Sequence, residues 1–259
     1  MPDRIRLDGR VAVVTGAAGV IGTATIRLLA ERGARIVAVD RKPQDLQTAV
    51  EDLPASAQAL AITADVTSEN EVAEYVRTAV DKFGTIDVFY NNAGIEGDIA
   101  PITRYSLETF RKVIDVNVVG VFLGLKHVLP VMLKQDKGSI INTASIAGLI
   151  GSPHIAVYSA SKHAVIGLTK SAAWECTATG VRVNCVCPGM IDSRMLSAII
   201  QGRNPGNAPT PNEKIVERIP ARRLGQASEV ASIVAFLASD ETSYVSGSAY
   251  TVDGGRTAS

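Results

Sequence analysis

Tyr158 and Lys162 stand four residues apart in the run Tyr158-Ser-Ala-Ser-Lys162, which puts both side chains on one face of a helix. An ammonium beside a phenol favours the phenolate, drawing a group with an ordinary pKa of about 10 toward the working range. Such a phenol can take the proton of an alcohol as hydride leaves the carbon, or return it to a ketone in the reverse direction. Tyr and Lys at this spacing also occur by chance on helix surfaces, so the pair alone proves little.

Other parts of the chain offer a place for a hydride carrier. A short β-branched run at residues 10–15 leads into Thr15-Gly-Ala-Ala-Gly-Val-Ile-Gly22 and then a helix pattern. Gly16, Gly19 and Gly22, with Ile21 among them, allow a sharp turn close to a pyrophosphate, and the helix start supplies free N–H groups. A second strand pattern ends at Asp40, where a carboxylate can accept from ribose hydroxyls and repel a 2′-phosphate. Arg41 argues the other way, but Gly19 brings no basic side chain to the turn, so NAD is expected over NADP. Asn91-Asn-Ala-Gly94 closes another strand with small residues that let a ligand approach the backbone.

Around these motifs, strand and helix patterns alternate. Strands are expected at residues 10–15, 35–40, 59–64, 86–90, 139–143, 181–187 and 248–252. Helices are expected at 21–32, through 52, at 68–83, 106–134, 156–179 and 228–238. Short apolar strands separated by helices predict an α/β fold, a Rossmann-type doubly wound parallel sheet of seven strands with helices on both faces. No linker divides residues 1–259, so a single domain is expected. Residues 191–212 carry Pro205, Pro209 and Pro211 with Gly202 and Gly206; this stretch reads as irregular and long enough to be a substrate lid.

The 259 residues carry 26 Lys plus Arg against 26 Asp plus Glu. That balance creates no field to attract nucleic acid or an anionic membrane, and neither partner is expected. Cys176, Cys185 and Cys187 lack a metal or redox spacing, so they read as buried small hydrophobes and no metal is expected. The N-terminal residues have mixed charge without a signal core, so a cytoplasmic protein is expected.

The ordered set 15–22, Asp40, Asp65-Val66, 91–94, Asn117, Ser145, 158–162 and Pro188-Gly189 resembles the short-chain dehydrogenase/reductase family, in its compact single-domain branch, over nearly the whole chain. The resemblance implies sheet order 3-2-1-4-5-6-7 and a homotetramer. It implies Tyr158 as the acid/base, and Lys162 as the group that holds the nicotinamide ribose and lowers the tyrosine pKa. Ser145 would bind the substrate oxygen and Asn117 a relay water. Asp65 would contact adenine with Val66 beside it, while Asn91, Ala93 and Gly94 would line the ribose. Ile191 and Ser193 would bind the carboxamide beyond Pro188 and Gly189. Each has a plainer reading: Ser145 as a turn residue, Asn117 as a satisfied helix polar group, Asp65 as a helix cap. The family's middle glycine is replaced by Val20, which is expected to alter the loop.

Ser145, Ile146, Glu96, His154, Tyr158, Met190, Met195 and Leu196 are expected to line a pocket for a modest-sized, mostly apolar alcohol or ketone. A 3-oxoacyl-carrier-protein reductase is the alternative. A non-catalytic dinucleotide-binding module is the alternative of a different class, and it would be expected to lose Tyr158 or Lys162.

Overall fold

The computed structural model describes residues 5–203, 214 and 216–258. Seven strands form one parallel sheet in the order β3-β2-β1-β4-β5-β6-β7. They are β1 (Val11–Thr15), β2 (Arg35–Asp40), β3 (Ala59–Thr63), β4 (Val88–Asn91), β5 (Gly138–Thr143), β6 (Val181–Pro188) and β7 (Ala249–Val252). The helices are α1 (Val20–Glu31), α2 (Pro43–Glu51), α3 (Glu69–Phe83), α4 (Leu107–Ile114), α5 (Gly120–Gln135), α6 (Ala156–Glu175), α7 (Arg194–Arg203) and α8 (Ala227–Ala238).

Every residue of β1, β4 and β5 is buried, because successive side chains face opposite helix layers. Val11 and Val13 join Val37, Phe89 and Ile140 in one core with residues of α3, α5 and α6. Ala12 and Val14 join Ile36, Tyr90 and Ile141 in a second core with residues of α1, α2 and α8. All three cysteines are buried and free.

The expected helix at residues 106–134 is longer and less regular. Ser106 caps it, its Oγ accepting from the Thr109 N–H at 3.0 Å. A π-helical turn, Asp115–Val119, then joins α4 to α5. The Leu107–Gln135 stretch, with mean hydropathy 1.8 in its most apolar window, is long and apolar enough to cross a membrane by length and composition, and 44% of that window is buried inside the protein. Helix α6 stops at Glu175, short of the expected 179. The Thr177 and Thr179 hydroxyls donate to the carbonyls of Trp174 (2.8 Å) and Cys176 (2.9 Å) and turn the chain before Gly180.

The irregular stretch expected at 191–212 is corrected over its first half, where Arg194–Arg203 forms α7. The prolines all lie beyond Arg203, and Ser193 Oγ accepts from the Leu196 N–H at 3.2 Å, in the manner of an N-cap. Residues 204–212 of that expectation lie outside the described residues.

The parallel topology brings the ends of β1 to β6 to one edge. Between β1 and β4 the chain order reverses, opening the crevice where α/β sheets bind ligands.

Candidate active site

The glycine turn after β1 is held by sterics that only two positions impose. Gly16 has φ +63°, and a Cβ there would come within 2.9 Å of Ala93 Cα. A Cβ on Gly22 would come within 2.1 Å of the Gly16 carbonyl oxygen. Gly19 has ordinary extended backbone as the N-cap of α1. Val20 follows it, half-exposed and facing the cleft. Both sterically required glycines are therefore kept, with Val20 standing between them beside the cleft.

From this turn a cleft of about 930 Å³ runs past the strand ends. Gly16, Gly19, Ile21, Asp40, Arg41, Asp65, Val66, Ala93 and Gly94 line one part of it. Asp40 Oδ2 accepts from the Ala18 N–H at 3.1 Å, tying β2 to the glycine turn. Asp65 Oδ1 accepts from both the N–H and the hydroxyl of Thr67 at 2.8 Å, so part of its role is the plainer capping one. Gly22 supports the turn without lining the cleft.

One expected contact needs correction. Asn91 is buried, and its Nδ2 donates to the Val121 carbonyl at 3.0 Å, so it fastens α5 rather than facing the cleft. The neighbouring Asn92 lines the cleft instead; its Nδ2 donates to the Thr15 and Gly16 carbonyls, and its Oδ1 accepts from the Thr143 hydroxyl. Asn117 is fully buried in the π turn. Its Oδ1 accepts from the Ile95 N–H at 2.8 Å, while Nδ2 donates to the Ile95 carbonyl and to Ser161 Oγ. With both side-chain donors committed, the Asn117 side chain positions the loop after β4.

The reacting end is built by β5, the turn after it, and α6. Ser145 begins a short 3-10 turn, Ile146–Gly148, and its Oγ accepts from the Ala147 N–H at 3.1 Å. Tyr158 and Lys162, one turn apart on α6, both line the cleft. Lys162 Nζ lies 5.7 Å from the Tyr158 ring centre and donates to the Thr143 carbonyl at 2.7 Å.

Their ionisation differs from expectation. Burial pushes the Tyr158 phenol up to about 12; the hydrogen bond from Ser145 pulls it down, and the Glu96 charge pushes it further up. Lys162 is not among the groups that lower it. Burial instead brings Lys162 itself down to about 8. Burial, which disfavours the charged form of each group, is the largest influence on both.

At the end of β6 and after it, Pro188, Gly189, Met190, Ile191 and Ser193 border the same cleft. The Ser193 hydroxyl also donates to the Ile191 carbonyl at 3.1 Å while capping α7. Ser145, Ile146, Met190, Met195 and Leu196 line the cleft near Tyr158, as the pocket expectation required. Glu96 and His154 do not, and both are corrected. Arg194 Nη1 donates to Glu96 Oε1 at 2.8 Å, drawing that carboxylate onto α7. His154 sits in a left-handed corner (φ 66°), where its carbonyl accepts from the Ala100 N–H. Ile155, Arg203 and Arg218 line the cleft without having been anticipated, and Ile199 of the expected lid lines it as well. The i, i+4 recurrence of Met195 and Ile199 was the available signal for two of the positions around α7.

The family model described as Enoyl-(Acyl carrier protein) reductase matches residues 16–257. Levodione reductase of Leifsonia aquatica is 39% identical over 98% of this chain and 96% of its own length. The chain belongs to the short-chain dehydrogenase/reductase family. Cyclohexanol dehydrogenase of Acinetobacter sp. (strain SE19) is 39% identical over 97% of this chain and 96% of its own. The crystal structure of levodione reductase superposes with TM-score 0.94 at 38% identity, covering 98% of this chain and 100% of that one. NAD+-bound xylitol dehydrogenase superposes with TM-score 0.91 at 36% identity, covering 96% and 99%. As a short-chain dehydrogenase/reductase, this chain keeps the parts a dinucleotide requires. The close Gly16–Ala93 approach leaves bare backbone at the head of α1, and Asp40 lines the cleft at the end of β2.

Proposed function

We propose that the protein transfers hydride between NAD(H) and a secondary alcohol or ketone of modest size with an apolar or cyclic body. The observation that carries this reading is the convergence of Ser145, Tyr158 and Lys162 on one cleft that begins at Asp40 and the glycine turn. Residues 16–22, Asp40, Asp65, Val66, Ala93, Gly94 and 188–193 would hold the cofactor, which supplies the hydride acceptor or donor. Ser145 would orient the substrate oxygen. Tyr158 would take the hydroxyl proton during oxidation and return it during reduction. Lys162, fixed on the Thr143 carbonyl, would hold the nicotinamide ribose. Helix α7 would cover the substrate end, its Arg194 fastened to Glu96, within a single domain. Both Tyr158 and Lys162 stand, which favours an enzyme over a non-catalytic module. The matched family description keeps a carrier-bound acyl substrate as the second reading.

A pH profile tests the proton carrier. Oxidation needs the phenolate, and burial pushes the phenol up to about 12, so the oxidation rate should climb through the alkaline range. Ketone reduction needs the protonated phenol and should fall over the same range. Oxidation that is flat from neutral to strongly alkaline pH, with chemistry rate-limiting, would count against Tyr158.

Asp40 should set the cofactor preference. In Asp40→Ala the ratio of NADH to NADPH affinity is expected to drop about tenfold or more as Arg41 is left to meet a 2′-phosphate. Calorimetric titration with both cofactors reads that ratio, and an unmodified protein that prefers NADPH would show that Arg41 outweighs Asp40.

Assembly as a homotetramer fits the surface. Phe122 and Leu133 on α5 and Trp174 on α6 are exposed, Trp174 by 83%, and such apolar faces ask for a partner. The edge strand β7 is also only partly covered. Light scattering should give the mass of four chains. The buried free cysteines suit a reducing, cytoplasmic setting.

A further inference from the structure

The cleft does not end at Tyr158. Ala147, Ile155 and Tyr158 form a small apolar cluster with Ile99, Met195 and Ile199 packed against it. Met195, Ile199 and Arg203 follow one another at four-residue spacing on α7, and all three line the cleft. They therefore form a stripe about 12 Å long, apolar beside the phenol and cationic at its far end.

Arg203 is held in place. A Cβ on the adjacent Gly202 would come within 2.5 Å of Ile99, so this end of α7 lies close on the loop after β4. Arg203 Nη2 donates to Ser152 Oγ at 2.7 Å, while its Nε is buried without a partner. Burial lowers its pKa, and the nearby Arg218 charge lowers it further. Arg218 lines the same part of the cleft. Among the described residues no carboxylate forms an ion pair with either arginine. The acidic residues lining the cleft, Asp40, Asp45 and Asp65, belong to its adenosine end, and Glu96 is engaged by Arg194. Two neighbouring guanidinium groups, one half-buried with an unused N–H, cost free energy that an anion would relieve.

We propose that the substrate is a secondary alcohol or ketone whose apolar body ends in an anionic oxygen group, a carboxylate or its sulfonate or phosphate counterpart, received by Arg203 and Arg218. This rests on the hydride-transfer reading and narrows its substrate class. The apolar stripe takes the body, Tyr158 meets the reacting oxygen, and the arginines fix which end enters first. A neutral alcohol fills the same stripe but leaves both charges unanswered.

Binding decides the matter independently of turnover. With saturating NADH at neutral pH, calorimetric titration compares cyclohexanecarboxylate with cyclohexanecarboxamide, two rings of the same shape that differ in charge. The carboxylate should bind about tenfold tighter or more, and added salt should narrow the gap. In Arg203→Gln, which keeps a donor for Ser152, and separately in the exposed Arg218→Gln, the ratio should fall toward one. Equal affinities in the unmodified protein, or a ratio untouched in both variants, would overturn the proposal. So would indifference to the small carboxylate combined with an acyl carrier protein that binds and is lost in both variants; the arginines would then serve a protein surface. Oxidation of cyclohexanol with NAD is read in parallel. Failure of cyclohexanol together with every other secondary alcohol and matching ketone tried would sink the hydride-transfer reading while the binding ratio still reported on the anion site.

Discussion

Tyr158→Phe is expected to lower turnover about a hundredfold or more in both directions, while NADH still binds. The substitution keeps the ring that packs with Ala147 and Ile155 and removes only the hydroxyl. Of its charged neighbours, Glu96 is drawn onto Arg194 and Lys162 is fixed on the Thr143 carbonyl. Steady-state rates with one alcohol and one ketone, beside a fluorescence titration with NADH, separate loss of chemistry from loss of cofactor. Near-normal turnover in this variant would remove Tyr158 from the mechanism.

Lys162→Met should lose activity on a comparable scale, and it should also change stability in a way that depends on pH. Lys162 is buried and brought from 10.5 down to about 8 in the folded chain. Between those values the unfolded chain binds the extra proton, so stability should rise with pH from about 8 toward 10. Higher still, the raised phenols of Tyr75, Tyr90 and Tyr158 reverse the trend, since the folded chain then holds the protons. Below pH 8 the buried ammonium costs about 3 kcal/mol, partly offset by its bond to the Thr143 carbonyl, worth about 1 kcal/mol. Lys162→Met should therefore be more stable at pH 7 by roughly 2 kcal/mol, and its alkaline rise should vanish. Urea unfolding at pH 7 and pH 9.5 measures both. A variant less stable than the parent at pH 7 would show that the hydrogen bond to Thr143 outweighs desolvation.

These two residues also show what the sequence makes legible. Their spacing, the glycines at 16 and 22, and the acid closing β2 are local demands, and each is written in the residues that meet it. The sheet order followed from the resemblance, and the alternation of apolar strands with helices pointed to the same architecture. Tertiary facts were harder to read. Asn91 and Asn92 sit next to each other, and strand alternation turns them to opposite sides; nothing local says which faces the ligand. Helix α7 was hidden because the prolines beyond Arg203 made the whole stretch look irregular, and with it went Arg203. Glu96 was assigned to the pocket because its attraction to Arg194, ninety-eight residues away, exists only in the folded chain. The direction of the Tyr158 shift was lost for a similar reason. A lysine four residues away is visible in sequence, whereas the burial that outweighs it is not.

The most direct test of the account is the appearance of NADH at 340 nm. The unmodified protein would be mixed at alkaline pH with NAD, or with NADP in parallel, and a set of secondary alcohols that includes cyclohexanol and 4-hydroxycyclohexanecarboxylate. Absorbance should grow with enzyme concentration, faster with NAD than with NADP, and be nearly absent in Tyr158→Phe. No NADH from any of these alcohols, together with no NADH consumption by the matching ketones or by a 3-oxoacyl carrier protein, would contradict it.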